Sequence, residues 1–554
     1  EKMSPANHAD IWAPDIRLEN YNNTPKNKKK KTCKNASYNV AAELARFQAM
    51  KSLRSKYARL ISKHGEGGKH KAPPLAFDRW LARSALTRAT ANSDGGDHEN
   101  EVGGLMSREP LLPTAEKTNP GLIADLSRTF PREVAVSVSD TLTASSRMAA
   151  EKHDRTFRKS ERKEEKGDEH ATSNDNDTKK LVKAAKRAAK AARKSNGSND
   201  PKPWLNLEAA AEALRDHAAL TADKLGENTN STPSMCVEKS TSRGGDIILL
   251  TAINEETKTP IKPYMSLNKA HYDKLTVLHR RFGGSDGDGG EQKKQQQENA
   301  TKVDSLIFCL LCRYEALKGV GSQCAVPGAA FDDLKPYLGN TVECFASPLN
   351  CRFERYYSAF PGLEYAFGSL GSFFGDGTLE IQEGSFEVNP PFVPEVMTFM
   401  EKRVNQLLSD PNKGPLSFLV VVPDWGGGNS TADACASSKF KRAASYISAT
   451  DHVFADGAQH RVSDRWRPSS WNTAVILLQN DKGRDKWTLE TETLTNVVKK
   501  AFSRAANSSS APAGGKEDVF AWESRGSRKG GRHGKNIPIK RDNGAPYKKR
   551  KWTA

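Results

Sequence analysis

The sequence lacks any long apolar run. The longest, Ile307 to Cys312, lies between Asp304 and Arg313 and is far shorter than the roughly 18 residues that a membrane span needs. The N-terminus has no signal-peptide pattern, and because the chain begins at Glu1 rather than Met we expect a fragment. Hydrophobic residues make up 36% of the 554 residues, less than in most compact domains. We therefore expect no membrane partner, and part of the chain to be unfolded when alone.

Cysteine and histidine patterns for disulfides and metals are also missing. The eight cysteines lack the spacing of a disulfide scaffold, which favours a reducing compartment. Cys309-x-x-Cys312 lies in an apolar helical run without a second pair, so core packing is expected rather than a redox or zinc role. The twelve histidines show no ligand spacing, and no metal site is predicted.

Negative charge is outweighed by positive charge. The chain has 85 Lys and Arg against 67 Asp and Glu, for a net charge of +18. This balance predicts a polyanionic partner, with nucleic acid first and an acidic membrane surface second. The basic cluster at 546–552 resembles a nuclear-localisation signal and would equally serve as a nonspecific RNA-binding tail. We favour a nuclear protein.

The first 235 residues are predicted to form a helical domain after a disordered basic segment at 1–36. Apolar residues recur at helical spacing in several stretches. A charged insertion at about 159–200 contains a basic helix at 183–194, either RNA-facing or merely solubilising. The other helices are predicted at 38–61, 76–90, 137–158 and 204–220.

The pattern changes to apolar strands alternating with helices, which predicts a mostly parallel, doubly wound, Rossmann-like domain over 240–500. A flexible insertion is expected at about 283–300, and a disordered basic tail at 501–554. Gly283–Gly287 lies in that insertion with no strand before it, so it is interpreted as a linker and not as a cofactor-binding loop. Strands are predicted at 246–250, 341–345, 384–388, 417–422 and 473–478, and helices at 266–281, 303–317 and 394–408.

The most informative motif is Asn389-Pro390-Pro391-Phe392. It follows Gly384–Val388, in which Phe386 and Val388 alternate with polar residues as in a strand. The two prolines stiffen the turn, the Asn side chain offers an amide oxygen, and the Phe ring offers a stacking surface. Asn/Asp-Pro-Pro-aromatic is typical of enzymes that methylate amino groups of adenine, and in relatives guanine or glutamine, with S-adenosylmethionine. A plain proline-rich surface turn is the alternative.

Many separate blocks together resemble one family, the phosphorylated CTD-interacting factor family of cap-specific adenosine N6-methyltransferases. The resemblance is dense from about 303 to 490 and thinner in the helical region. The blocks include Phe77–Trp80, Glu343–Cys351, Ser358–Pro361, Phe367–Ser369, Gly384–Phe392, Pro415–Phe418, Pro423–Trp425, Phe440–Arg442, Gln459–His460, Asn472–Val475 and Leu478–Asp481.

The resemblance implies a helical domain packed on a Rossmann-like class I methyltransferase domain, with S-adenosylmethionine as methyl donor. It implies a capped mRNA substrate, in which 7-methylguanosine is joined through a triphosphate to a 2′-O-methylated adenosine. Animal members carry a WW domain that reads the phosphorylated RNA polymerase II tail. No WW pattern is visible here, so the polymerase partner is in doubt. The long charged insertions suggest a divergent member.

The same resemblance suggests roles for individual residues. The Oδ1 of Asn389 and the Pro390 carbonyl would accept the two amino hydrogens of adenine, Pro391 would stiffen the turn, and Phe392 would stack on the base. The donor pocket is expected at the turn formed by Phe345, Ala346, Ser347, Pro348 and Asn350. The cap and RNA are expected at Asp424, Trp425, Lys441, Arg442 and His452, with Trp425 stacking on the cationic guanine and the basic residues facing the triphosphate.

Two alternatives stay open on the sequence alone. One is an amino-methyltransferase that acts on internal RNA or DNA adenine. The other, suggested by the missing glycine loop, is an RNA-binding protein that keeps the fold without a donor site and has no catalytic activity.

Overall fold

A computed structural model describes residues 17–19, 38–64, 73, 76–91, 111–113, 120–165, 234–242, 244–283, 292–317, 323–375, 380–426, 430–461 and 466–509. The basic helix predicted at 183–194, the helix predicted at 204–220 and the tail after residue 509 lie outside the described residues. In the segment 1–36, for which disorder was expected, β1 (Arg17–Glu19) forms a short strand.

The described amino-terminal part consists of helices. The helices predicted at 38–61, 76–90 and 137–158 are confirmed, and their ends differ by a few residues from the predicted ones. Their apolar residues recur every three or four positions, so that one stripe of each helix is buried. The helices are α1 (Val40–His64), α2 (Ala76–Ala91), α3 (Pro120–Leu126) and α4 (Arg132–Glu165).

A small antiparallel sheet follows, formed by β2 (Met235–Thr241), β3 (Ile247–Asn254) and β4 (Pro260–Asn268). The buried strand predicted at 246–250 is confirmed as β3. Its expected membership of the mostly parallel sheet is wrong, because β3 pairs antiparallel with β2 and β4. An apolar run cannot by itself reveal its pairing partners.

Two helices connect this sheet to the rest of the chain, α5 (Lys269–Phe282) and α6 (Gln292–Leu317). The side chain of Asn268 caps α5 by accepting a hydrogen bond from the backbone N–H of His271. Residues 292–300, predicted to be a flexible insertion, are instead the first turns of α6. Their Gln, Lys, Glu and Ala residues favour helix. The same helix continues into the buried run that begins at Val303.

The first hydrophobic core joins α1–α4 with the small sheet, α5 and α6. The same core therefore contains residues from both sides of residue 240, where the sequence predicted a domain boundary. Cys309 and Cys312 are both buried in it, which confirms that they pack in the core, and burial raises the pKa of each thiol well above its usual value. Every cysteine in the described part of the chain is a free thiol.

The central sheet has the strand order β6-β5-β7-β8-β12-β9, and β1 pairs with the start of β7. Five of the six strands along this path run in one direction. The sixth, β12, is antiparallel to both of its neighbours. The prediction of a mostly parallel sheet is confirmed. The strands are β5 (Thr341–Ala346), β6 (Tyr356–Ser358), β7 (Glu380–Val388), β8 (Leu416–Asp424), β9 (Lys441–Ile447) and β12 (Asn472–Gln479), and a separate ribbon contains β10 (Val453–Ala455) and β11 (Trp466–Pro468).

Helices cover both faces of this sheet, so the central strands β8 and β12 are buried on both sides and read as continuous apolar runs. Residues 416–423 of β8 are all buried. The core on one face includes side chains of α7 and α12, and the core on the other includes those of α9 and α10. The remaining helices are α7 (Gly328–Leu338), α8 (Pro361–Glu364), α9 (Pro394–Ser409), α10 (Thr431–Ala436), α11 (Asp481–Lys486) and α12 (Thr491–Ser509).

An ion-pair network fastens the amino-terminal helices to α9. Arg79 and Arg83 of α2 each contact both Asp125 of α3 and Glu395 of α9, at distances of 2.7 to 2.9 Å. Burial alone would raise the pKa of Glu395, but hydrogen bonds from Arg79 and Arg83 lower it below its usual value. Glu395 lies three residues after Phe392, so the network holds the segment that leaves the Asn-Pro-Pro-Phe turn.

We expect Arg79→Met to destabilise the protein by about 3 kcal/mol, because removal of one partner leaves the buried Asp125 carboxylate with fewer charges to balance it. Urea unfolding of the full chain measures this loss. Arg128 is a matched control, since it lies 3.7 Å from the same carboxylate but is 68% exposed. Arg128→Met should change stability by less than about 0.5 kcal/mol. Equal losses in the two variants would contradict the role of the network.

A second buried ion-pair cluster lies inside the helical core. Glu43 contacts Arg313 at 2.6 Å and Arg46 at 2.5 Å, and it is almost fully buried. Burial would raise the pKa of Glu43, but the two guanidinium groups outweigh this effect and lower the pKa to about 2 from its usual 4.5. The folded state therefore stabilises the charged form of Glu43.

This lowered pKa predicts a defined pH dependence. A carboxyl whose pKa falls on folding adds stability that is fully present above its unfolded pKa and is lost as pH falls toward the folded pKa. The contribution of Glu43 should thus disappear between about pH 4.5 and pH 2. Glu43→Gln should be clearly less stable than wild type at pH 6, and the difference should shrink as the pH is lowered through this window. A difference that stays constant with pH would contradict the assignment.

Candidate active site at the reversal of strand order

The order of the central strands reverses between β5 and β7. From β5 the chain continues to β6 on one side, and then returns to β7 on the other side of β5. In open α/β sheets a crevice forms outside the carboxyl ends of the strands at such a reversal, and ligands bind there. The residues that follow these two strands are Ser347 and Asn389. The structure therefore places the predicted donor turn and the predicted catalytic turn at the same crevice.

The carboxamide of Asn389 is held in one orientation. Its Nδ2 donates a hydrogen bond to the carbonyl of Cys324 at 3.0 Å, and the residue is 9% exposed. Because a carbonyl can only accept, Nδ2 is the atom that faces Cys324, and Oδ1 remains as an acceptor. The N–H of Val393 is bonded to the carbonyl of Pro391 at 2.6 Å, which tightens the turn around Phe392.

The ring of Phe392 is only partly buried. It packs against both cores of the central sheet and lies edge-on to Phe454, with a centroid distance of 6.2 Å. Its position directly after the two prolines keeps it at the same crevice as Asn389. The four residues of the motif thus form one rigid unit with an amide oxygen and an aromatic ring.

The turn after β5 is bonded to itself. Oδ1 of Asn350 accepts from the N–H and from Oγ of Ser347, at 2.7 and 2.9 Å. The ring of Phe345 packs against Phe373 and Phe374. Ala346, Ser347, Pro348 and Asn350 are buried. The side chain of Ser347 also forms a hydrogen bond with Tyr314, which lies outside the turn. The turn has a fixed shape and forms a wall of the crevice.

Residues 323–325, which we call the strap, connect both turns. The carbonyl of Gln323 accepts from Nδ2 of Asn350 at 3.1 Å, and the next carbonyl, that of Cys324, accepts from Asn389. The strap is itself held by two hydrogen bonds between the backbones of Ala325 and Ala455. No sequence motif pointed to it, because its function depends on contacts that are distant along the chain.

Two buried carboxyl groups lie beneath the crevice. Glu343 and Glu387 are adjacent in the parallel pairing of β5 with β7, and both are almost fully buried. Burial raises the pKa of Glu343 to about 7, although the N–H groups of Phe353 and Arg352 oppose the change. Burial, together with the neighbouring Glu343, raises the pKa of Glu387 well above its usual value. Burial and the neighbouring carboxyl thus favour the uncharged form of Glu387.

A second aromatic group lies at the same edge, after the neighbouring strand β8 and before β12. Trp425 follows β8 and is edge-on to Trp471, with a centroid distance of 6.3 Å. Trp425 is half-buried, whereas Trp471 is 52% exposed. The sequence reasoning missed Trp471, because it lies beside Trp425 only through the antiparallel pairing of Asn472 with Asp424. The carboxylate of Asp424 accepts from the N–H of Gly426 and shapes the turn.

The structure does not bring Lys441 and Arg442 to this edge. They begin β9, and Lys441 pairs with Leu478, whereas the other end of β9 pairs with Thr473 near the crevice. A strand of seven residues separates its two ends by roughly 20 Å. Arg442 is also paired with Asp481 at 2.9 Å. The expectation that these two side chains share a site with Asn389 is wrong, because the direction of a strand in a sheet cannot be read from its own residues.

His452 is not available to a phosphate. Its Nδ1 lies 2.7 Å from the carbonyl of Ser448, and its Nε2 lies 2.9 Å from Oγ1 of Thr473. Burial lowers the pKa of the ring, so the neutral imidazole donates to the carbonyl and accepts from the hydroxyl. Its predicted role at the triphosphate is corrected to a structural one.

Among the described residues, no group of three or more His, Cys, Asp or Glu side chains is placed to hold a metal ion. None of the described helices is long and apolar enough to cross a membrane.

The part of the chain that contains this crevice is similar to known proteins. Residues 274–457 match the family model described as phosphorylated CTD interacting factor 1 WW domain. This segment of the chain is therefore similar to the phosphorylated CTD-interacting factor family. In this structure the matched segment includes β5 to β9 and α9, and it therefore contains the whole crevice.

Two relatives carry the same name, mRNA (2′-O-methyladenosine-N(6)-)-methyltransferase. The human protein is 38% identical over 200 residues, which are 34% of this chain and 28% of the relative. The mouse protein is 38% identical over 190 residues, 33% of this chain and 26% of the relative. The chain thus matches little more than a quarter of the length of these relatives. The match confirms the resemblance that the sequence blocks suggested.

Proposed function

We propose that this protein is an S-adenosylmethionine-dependent methyltransferase that modifies the 6-amino group of the first transcribed adenosine in 7-methylguanosine-capped mRNA. The observation that carries the proposal is the position of Asn389-Pro390-Pro391-Phe392 at the reversal of strand order, with the carboxamide anchored and Oδ1 left as an acceptor. The names of the human and mouse relatives support it. The fold that we infer is a Rossmann-like class I methyltransferase domain with a helical domain packed on it.

The residues at the crevice fit S-adenosylmethionine as cofactor. The crevice has a rigid wall at Phe345–Asn350. The buried Nε2 of Gln323 has no hydrogen-bond partner among the described residues. When bound, the cofactor supplies an electrophilic methyl group on a sulfonium, which needs no metal and no covalent intermediate with the protein.

The protein's contribution would be position and electrostatics. The lone pair of an adenine amine is delocalised into the ring, which makes the nitrogen a poor nucleophile. Hydrogen bonds from the amine to Oδ1 of Asn389 and to the Pro390 carbonyl would draw the nitrogen toward sp³ geometry. Phe392 would hold the base by stacking. Pro391 would keep these groups at fixed angles.

The aromatic pair Trp425 and Trp471 is proposed as the cap-guanine site. Trp425 follows β8, the neighbour of β7, and Trp471 precedes β12, two strands from β7. Because Val388 pairs with Val420, β8 extends about four residues further than β7, and the pair is roughly 15 Å from the Asn389 turn. This separation suits a guanine joined through a triphosphate to the target nucleotide. The exposed surface of Trp471 is suited to stack on a cationic base.

Nuclear localisation and capped mRNA as partner are proposed with this function. They rest on the net charge of +18 and on the basic cluster at 546–552. The family name refers to interaction with a CTD, and the polymerase II tail is accordingly proposed as a further partner.

We expect Asn389→Ala to reduce turnover by roughly 10²-fold or more, the scale for the loss of one oriented polar group. Folding and binding of the demethylated product S-adenosylhomocysteine should be retained, because Nδ2 of Asn389 bonds to a backbone carbonyl and not to the donor turn. Nucleoside mass spectrometry after incubation with S-adenosylmethionine and capped RNA measures turnover. Calorimetry measures S-adenosylhomocysteine binding. Retained turnover would remove Asn389 from catalysis.

Cap dependence tests the choice of substrate. A cation–π contribution of about 0.5 to 2 kcal/mol predicts that kcat/KM falls roughly 2- to 30-fold when only the guanine methyl is removed. It should fall much further without the cap. Trp471→Ala should abolish the effect of the methyl group, whereas Tyr264→Ala should not, because this equally exposed aromatic lies on the small sheet.

Equal kcat/KM on RNA with a 7-methylguanosine cap, with an unmethylated cap and without a cap would favour a methyltransferase of internal RNA or DNA adenine. One observation favours this second candidate. The basic residues predicted to hold the triphosphate are either at the opposite end of β9 or, for His452, already bonded. If the protein methylates none of these RNAs and S-adenosylhomocysteine does not raise its thermal stability, we would conclude that it is an RNA-binding protein without catalytic activity.

A further inference from the structure

The strap contains a buried polar group that the proposed chemistry does not use. Nε2 of Gln323 is inaccessible to solvent and has no hydrogen-bond partner in the described part of the chain. An amide N–H that is buried and unpaired costs about 1–3 kcal/mol, so nearly all such groups in proteins have a partner. A hydrogen-bond acceptor on a bound ligand is one kind of group that would supply the missing partner of Nε2.

Gln323 lies between the two turns of the crevice. Its own carbonyl is bonded to Asn350 in the turn proposed to hold the methyl donor. The carbonyl of the next residue is bonded to Asn389, which is proposed to orient the amine that receives the methyl group. Gln323 is therefore placed on the donor side of the reaction centre, one residue from the contact that fixes the acceptor side.

The backbone of the strap cannot shift easily. Ala325 is bonded in both directions to Ala455. A Cβ placed on Gly457 would lie 2.6 Å from Cβ of Gln323 and 3.0 Å from its carbonyl oxygen, so the two backbones are in close contact. The side chain of Gln323 thus starts from a fixed backbone position, as a binding residue requires.

We propose that the side-chain N–H group of Gln323 is a specificity-determining contact of the methyl-donor site and donates to the α-carboxylate of S-adenosylmethionine. This inference rests on the proposed function. The carboxylate is the only anionic acceptor on the donor, and a neutral amide donor gains most from a charged partner. The target base also carries hydrogen-bond acceptors, so the experiment must distinguish the two ligands.

The test uses the full chain and two probes, S-adenosylhomocysteine and 5′-methylthioadenosine, which lacks the amino acid part. Gln323→Met keeps the side-chain volume but removes the N–H group. It should weaken S-adenosylhomocysteine binding about 10- to 100-fold, the range for a hydrogen bond to a charged group, and leave 5′-methylthioadenosine binding unchanged. Gln323→Glu places a second carboxylate there and should weaken only S-adenosylhomocysteine binding, by more than the Met variant. Isothermal titration calorimetry reads both affinities without turnover.

The matched control is Gln459→Met. Gln459 is 3% exposed and also has an unpaired Nε2 within the described residues, but its backbone bonds to Asn268 and Asp456, not to either turn. It should bind both probes as wild type does. The thermal midpoint of each variant verifies folding.

Four outcomes would overturn the assignment of Gln323. These are unchanged S-adenosylhomocysteine affinity in Gln323→Met, an equal loss for both probes, an equal loss in Gln459→Met, or a loss of capped-RNA affinity alone. The last would place the contact on the target base. Failure of the wild-type protein to bind either probe would overturn the proposed function itself, and is thereby distinguished from failure of this assignment.

Discussion

Two hydrogen bonds from side-chain amides to consecutive backbone carbonyls define the geometry of the candidate site. Asn350 bonds to Gln323 and Asn389 bonds to Cys324, so the turns after two neighbouring strands share one strap. Parallel strands bring these turns to within about 4.8 Å of each other at the sheet edge. The strap then fixes how each turn is oriented. A movement of the strap would change the donor wall and the catalytic amide together.

The rest of the molecule supports this arrangement from both sides of the sheet. α9 leaves the Asn-Pro-Pro-Phe turn and is fastened to α2 and α3 by Arg79, Arg83, Asp125 and Glu395. These groups lie in a half-buried environment, where paired charges are screened less by salt and water than surface pairs are. The helical layer thus limits the movement of the segment that follows Phe392. The block Phe77–Trp80, whose role the sequence did not explain, supplies Arg79 to this contact.

Some features followed from local patterns. The apolar runs of β7 and β8, the proline-stiffened turn after β7 and the helical periodicity of α1, α2 and α4 were predicted within a few residues, because each depends on backbone preferences and on burial of one stripe or strand. The assignment of β3 to the central sheet failed, since an apolar run has no information about its partner strand. The placement of Lys441, Arg442 and His452 failed for a related reason. Their neighbours are set by strand direction and by contacts such as His452 with Thr473.

The sequence by itself determined the alternation of strands and helices, the rigid Asn389–Phe392 motif and the positive charge. Through many short blocks it also indicated the family that the chain resembles. Only the tertiary structure decided that Gln323 and Cys324 join the two turns, that Trp471 lies beside Trp425, and that Glu343 and Glu387 are buried side by side. Local patterns arise from steric and hydrophobic preferences that act within a few residues of the chain. Contacts across the crevice join residues that are tens of positions apart, and their partners are selected only when the strands are ordered and the sheet is packed.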